Sequence, residues 1–168
     1  MKKLFFIAFP LILFSCGQQS TKPMTEDQKE KVKEEINPVI TQLFEYVYQA
    51  NFAKYLSFWD STEFTYIMNG QQFDFKSFKE INTQFWSGLE YQKINTLSDK
   101  FIIINQESVI YTIIGNTEAK FKNGDILKID PYAASLLLKK VDGLWKIQHS
   151  HGSGQFSNIP KDLLTPAK

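Results

Sequence analysis

The dipeptide Asp142-Gly143 constrains this chain more than any other feature. An Asp-Gly pair between two β-branched and aliphatic runs supplies the positive φ angles of a two-residue hairpin turn, which ties the flanking segments into an antiparallel pair. With that turn, Val141 is expected to face Leu144, Lys140 Trp145, Leu138 Ile147 and Leu136 His149. One face of the hairpin then carries Trp145, Ile147, His149 and His151 with Leu136 and Leu138. The other carries Lys139, Lys146, Gln148 and Ser150, an inside-outside split that suits a sheet with one buried face. Asn69-Gly70 and Asn123-Gly124 are further turns of the same chemistry. At the latter a two-residue loop sets Lys120 against Leu127, so a longer loop or a bulge is expected there. Phe101 to Ile104 and Val109 to Ile114 read as strands of the same meander.

The first half of the chain has a different period. Thr25-Glu26-Asp27-Gln28 has the form of a capping box, with two acids placed to favour the helix dipole. Behind it Val32, Ile36, Val39, Ile40, Leu43, Phe44 and Val47 recur every three or four residues, predicting an amphipathic helix to about Ala50. Pro38 is expected to kink or split it near Asn37. A short helix follows over Phe52 to Trp59, then a strand over Glu63 to Met68 with Phe64, Tyr66 and Met68 on one face. A helix is expected between Lys76 and Gly88. Helices first and long hairpins afterwards give an α+β domain over residues 26–156: N-terminal helices packed on a curved antiparallel sheet, a cone with an open mouth. Residues 157–168, with Pro160 and Pro166, read as a tail.

The first sixteen residues carry an address. Met1-Lys2-Lys3 precedes the apolar run Leu4 to Phe14, too short for a spanning helix of about 20 residues. Leu13-Phe14-Ser15-Cys16 resembles the bacterial lipobox, which implies cleavage after residue 15, lipid on Cys16 and a polar tether over residues 16–25. The expected location is the bacterial cell envelope, periplasmic or surface-facing, with the membrane as partner through the lipid. Cys16 is the only cysteine, so neither an internal disulfide nor a thiolate-rich zinc site is available.

Composition narrows the chemistry. The 168 residues have a net charge of +1, and all 19 basic residues are lysines. Nucleic-acid recognition leans on the forked guanidinium, so no nucleic-acid partner is expected. His149 and His151, two apart on a strand, point the same way, and a histidine lining the cone is a candidate general base near neutral pH. A metal there needs a third ligand, with Glu63, Glu118 and Asp60 the residues at hand, and no metal site is assigned. Trp59, Tyr66, Trp86 and Tyr111 are candidate ligand-stacking rings, while Trp145 beside its turn reads as core. Trp86 lies off the Phe78, Ile81, Phe85 stripe and faces a cavity or a partner. Asp60 before Ser61-Thr62 reads first as a turn or cap residue.

The helix-first order, the step Trp59-Asp60 into a strand, and the segment Trp145-Lys146-Ile147-Gln148-His149-Ser150-His151-Gly152-Ser153 resemble the SnoaL-like branch of the nuclear-transport-factor-2-like superfamily. The resemblance spans roughly residues 30 to 155. It implies a cone whose enzymes place a tyrosine on the first helix, a base carboxylate after the first strand and an acid on a later strand. Those positions fall on Leu43, on Ile67 to Asn69, and on Tyr132, a hydrogen-bond donor rather than an acid. The expected function is therefore a binding module for a small apolar or aromatic molecule or a protein. Its ligand-binding residues are Trp59, Asp60, Tyr66, Trp86, Tyr111 and Tyr132. The alternatives are a cofactor-free lyase or isomerase using His149 or His151 as base, and a homodimer through the sheet.

Overall fold

The computed structural model describes residues 23–159, so Cys16 and the lipobox lie outside the described residues. Helix α1 covers Glu26–Tyr48, α2 Phe52–Leu56 and α3 Phe75–Ser87. The strands are β1 Thr65–Met68, β2 Gln71–Phe73, β3 Leu89–Asn105, β4 Ser108–Phe121, β5 Ile126–Val141 and β6 Leu144–Ser157. The capping box is formed in both directions, with Gln28 N–H donating to the Thr25 hydroxyl and Thr25 N–H to the Gln28 side chain. Contrary to expectation Pro38 does not split α1, which runs through it without interruption. Pro38 and Glu34, whose carbonyl loses its donor, both lie on the exposed side. The buried stripe Val32, Ile36, Ile40, Leu43 and Val47 holds the helix together from the other side. The second helix is one turn shorter than predicted: residues 58–60 leave it to pair with β6, through Ile147 N–H to Phe58 O at 2.7 Å and Asp60 N–H to Ile147 O at 3.0 Å.

Six strands form one curved, unclosed sheet in the order β2-β1-β6-β5-β4-β3. It is mixed rather than wholly antiparallel, because β1 joins β6 in parallel. Asn69 and Gly70 take φ of 48° and 81°, and Asp142 and Gly143 51° and 80°, the left-handed pair that a two-residue turn requires. At Asn123-Gly124 the loop is longer, as expected, and Lys120 pairs with Ile126. The Asn69 turn also fastens β6: its amide donates to Gly154 O at 3.1 Å, and Gly154 N–H donates to its oxygen at 2.9 Å.

The β5–β6 hairpin keeps the expected register from Val141–Leu144 to Leu138–Ile147 and then departs from it. Gln148 has no partner, Leu137 faces His149, and Leu136 faces Ser150 instead of His149. This is a β-bulge, and one extra residue moves every later side chain to the opposite face. Trp145 and Ile147 are buried, but after the bulge the buried residues are Ser150 and Gly152. The α helices cover the inner face. The core between them gathers Ile36, Leu43, Phe78, Val109, Tyr111, Leu138, Trp145 and Ile147.

Candidate functional site

A cavity of about 600 Å³ opens on the inner face, between α2, α3 and strands β1 and β3 to β6. One wall is aromatic. The Tyr55 and Trp86 rings stack with centroids 5.0 Å apart, and Phe78 sits 4.8 Å from both Trp59 and Tyr66. Alternation brings Tyr66 inward on β1 beside Ser150 and Tyr132 inward on β5 beside Gly154. The glycines of β6 make room for two side chains that line the cavity, Met68 over Gly152 and Ile129 over Gly154. A Cβ on Gly154 would lie 2.3 Å from the Ile129 side chain, and one on Gly152 would lie 3.1 Å from Met68 Sδ. Ile81, Phe156 and Ile159, all partly exposed, form an apolar rim.

The polar groups of the cavity are neutral. No histidine, lysine or carboxylate is among the described residues that line it; the donors and acceptors are Tyr55, Tyr66, Tyr132, Asn82, Gln84, Gln92, Thr117 and the Trp86 indole. Burial pushes the Tyr55 hydroxyl well above its ordinary range, with Tyr66 and Tyr132 adding to the effect, and pushes Tyr66 up to about 12. Tyr132 is raised in the same way, by burial first and by Tyr66 second. The Trp59 indole N–H stands near the Tyr55 hydroxyl and favours its phenolate slightly, without reaching hydrogen-bond geometry. The Gln92 side-chain oxygen is buried on the cavity wall and has no partner among the described residues.

Three of the predicted ligand residues, Tyr66, Trp86 and Tyr132, therefore meet around one cavity. The other three do not line it. Trp59 is buried behind Phe78. Tyr111 is buried in the adjoining core, donating to Asp99 Oδ2 at 2.9 Å. Asp60 is buried in a turn, accepting from Thr62 N–H at 2.9 Å, Thr62 Oγ1 at 2.7 Å, Glu63 N–H at 3.3 Å and Gln148 Nε2 at 2.9 Å. The Thr62 hydroxyl and N–H, with help from Gln148 and Glu63, hold its carboxyl at about 2.

His149 and His151 correct the expectation most sharply. The bulge at Gln148 turns both away from the cavity onto the outer face, His149 between Leu137 and Thr65, and His151 between Ser135 and Ile67. Glu118 is on the outer face too, accepting from the Tyr91 hydroxyl at 3.0 Å, and Glu63 is exposed. Among the described residues no three of His, Cys, Asp and Glu come together as a metal needs. Of the superfamily positions, Leu43 is core, Ile67 faces outward, and Met68 and Tyr132 line the cavity.

Sequence reasoning missed Tyr55, Gln92 and Thr117. The alternation of β3 and β4 carried the signal for the last two, since Gln92 pairs with Ala119 and Ile94 with Thr117, and Ala119 and Thr117 are buried on the inner face. Tyr55 had none, because a five-residue helix shows no period of its own.

Known structures share this architecture. A protein of Novosphingobium aromaticivorans, provisionally assigned as a scytalone dehydratase, superposes with a TM-score of 0.69 at 6% identity, covering 81% of this chain and 93% of that one. The hexachlorocyclohexane dehydrochlorinase LinA-type3 of Novosphingobium barchaimii gives 0.59 at 11%, covering 79% and 95%. The association domain of C. elegans CaMKII gives 0.58 at 19%, covering 77% and 99%. At such identities the likeness shows the fold alone. No curated protein matches the chain. The SnoaL-like domain matches residues 36–157, which span α1 from Ile36 through all six strands, and the chain belongs to that family.

Proposed function

We propose that this domain binds a small, ring-bearing apolar molecule in its inner cavity, on a protein held at the cell envelope by lipid on Cys16. The observation that carries the reading is the cavity itself: about 600 Å³, walled by stacked aromatic rings, with its polar groups neutral. Such a lining suits a ligand-binding cleft, where apolar surface supplies affinity and a few polar groups orient the guest. The lyase reading required a histidine within hydrogen-bond reach of the cavity, and both histidines face away from it. The test is equilibrium dialysis of the full chain against tetralin, a neutral bicyclic hydrocarbon. Saturable one-to-one binding, abolished by Ile94→Trp, which places an indole in the cavity, supports the reading. Absence of saturable binding refutes it. Lipidation is tested by metabolic labelling with an alkynyl fatty acid, with incorporation expected in the parent chain and lost in Cys16→Ser.

A second reading rests on the outer face. Ile102 and Ile114 are 44% and 53% exposed there, and with Ile110 and Leu137 they make an apolar strip across β3, β4 and β5. A second copy of the chain covering this strip accounts for it. The CaMKII domain of the same fold, named for association, favours this reading. Sedimentation at micromolar concentration decides the matter: a dimer that Ile114→Lys converts to a monomer supports the interface, and a monomer in the parent chain rejects it.

A further inference from the structure

The two ends of the sheet differ, and α1 runs from one to the other. At the first end lie the turns that join β3 to β4 and β5 to β6, with the first half of α1 beside them. Lys140 links all three elements. Its N–H donates to Glu107 O at 3.0 Å, and its ammonium pairs with Glu35 of α1 and sits 5.1 Å over the Trp145 ring. At the second end α1 finishes: Val47 lines the cavity, and Ile81, Phe156 and Ile159 rim its mouth. The chain therefore enters the domain at the end away from the mouth.

The turn end also holds apolar side chains out in solvent. Leu144, at the tip of one hairpin, is 62% exposed, and Ile104, beside the tip of the other, is 51% exposed. Hairpin tips ordinarily carry polar residues, since no neighbouring strand covers them. The charges around these two cancel: with Lys140 paired to Glu35, Lys139 and Lys146 stand against Glu107 and Asp142. A surface that is apolar at its tips and balanced in charge has little to offer a strongly charged partner. It suits the boundary between lipid headgroups and acyl chains, where apolar side chains enter and lysine stems lie along them with the ammonium in water.

We infer that the domain stands on the membrane on its turn end, with Leu144 and Ile104 in the headgroup boundary and the cavity mouth turned to the aqueous side. The inference rests on the lipid on Cys16 proposed above and adds to it the orientation of the domain. Chain length supports it independently of the exposed residues. From Cys16 to Pro23 there are seven steps of chain, which reach at most about 25 Å. Helix α1, with 23 residues, spans about 35 Å between the two ends. With the mouth pressed on the bilayer, the start of α1 would stand farther off than the tether reaches. With the turn end down, it lies beside the surface. A ligand then enters the cavity from water and not out of the bilayer.

The test attaches a fluorophore to the full, lipidated chain through each of four variants, Ile104→Cys and Leu144→Cys at the turn end, Ile81→Cys and Phe156→Cys at the mouth. Cys16 is the only native cysteine and is acylated, so each variant offers one free thiol. The labelled chains are reconstituted in phosphatidylcholine vesicles that carry a nitroxide on the acyl chains, and vesicle flotation reports whether the anchor holds. Quenching of about twofold is expected at Ile104 and Leu144, as for a group about 5–10 Å into the boundary, with none at Ile81 and Phe156. Quenching at Ile81 or Phe156 that equals or exceeds that at Leu144 overturns the inference, because the mouth then meets the bilayer. If the chain floats and no position is quenched, the domain stands clear of the lipid, and the inference fails while the anchor reading holds. If the chain does not float, the anchor reading fails and takes this inference with it.

Discussion

The two halves of β6 teach more together than either does alone. From Leu144 to Ile147 the strand alternates as its sequence predicts, with Trp145 and Ile147 buried. From His149 onwards the phase is reversed, and Ser150 and Gly152 are buried while His151 lies in solvent. Only Gln148 separates the two halves, and its side chain donates to Asp60, whose backbone N–H reaches Ile147 O on the same strand. The segment Phe58 to Asp60 thus clamps β6 at the point where its register slips. The result is a chemical assignment. Two histidines go to the outer face, and two glycines go to the inner one, where Met68 and Ile129 pack against them.

The severest way to break this contrast is to delete Gln148. Restoring simple alternation would carry His149 and His151 inward, and it would carry Gly152 and Gly154, against which Met68 and Ile129 pack, outward. Burying two imidazoles there without designed partners is expected to cost more than about 4 kcal/mol, read as loss of cooperative unfolding in urea. The clamp is broken more gently with acid. The folded-state pKa of Asp60 is lowered from 3.8 to about 2, so its carboxylate contributes stability above pH 4, and that contribution is lost as the pH falls toward 2. With the exposed neighbours Thr62 and Glu63 screening the turn, about 1 to 2 kcal/mol is expected between pH 5 and pH 2. Asp60→Asn should remove most of that slope, and an unchanged slope in urea titrations would assign it to other groups.

A smaller effect, of opposite sign, sharpens the account of the inner face. The unpaired buried oxygen of Gln92 costs the ligand-free protein stability, so Gln92→Leu is expected to stabilise it by about 1 kcal/mol by thermal or urea unfolding. Destabilisation would mean that the oxygen is satisfied in solution. The smallest effect belongs to the outer face. His149→Ala and His151→Ala are expected to leave tetralin affinity unchanged and to move stability by no more than about 0.5 kcal/mol. A large loss of ligand affinity in either would return the histidines to the site.

Much of the fold was legible before any coordinate, and for local reasons. The capping box, the stripe from Val32 to Val47 and the paired positive-φ turns at Asn69-Gly70 and Asp142-Gly143 are each decided within a few residues of chain. Tyr66 was singled out on the Phe64, Tyr66, Met68 face of a strand and Trp86 because it lies off the Phe78, Ile81, Phe85 stripe, and both line the cavity. Asp60 carried two readings, and the turn it caps confirms the local one. Tyr55 and Gln92 escaped because one lies on a helix too short for a period and the other on a strand whose register depends on its neighbour.

The sequence by itself determined the order of helices and hairpins, the α+β class, the aromatic supply and the absence of arginine. These follow from composition and from short-range backbone preference. Tertiary structure alone decided which face received which chemistry. A strand's alternation predicts partners only until a residue is added or skipped, and whether one is depends on contacts made from elsewhere in the chain. Here the contact comes from Asp60, 88 residues from Gln148 along the chain, at the bulge beyond which the histidines face outside.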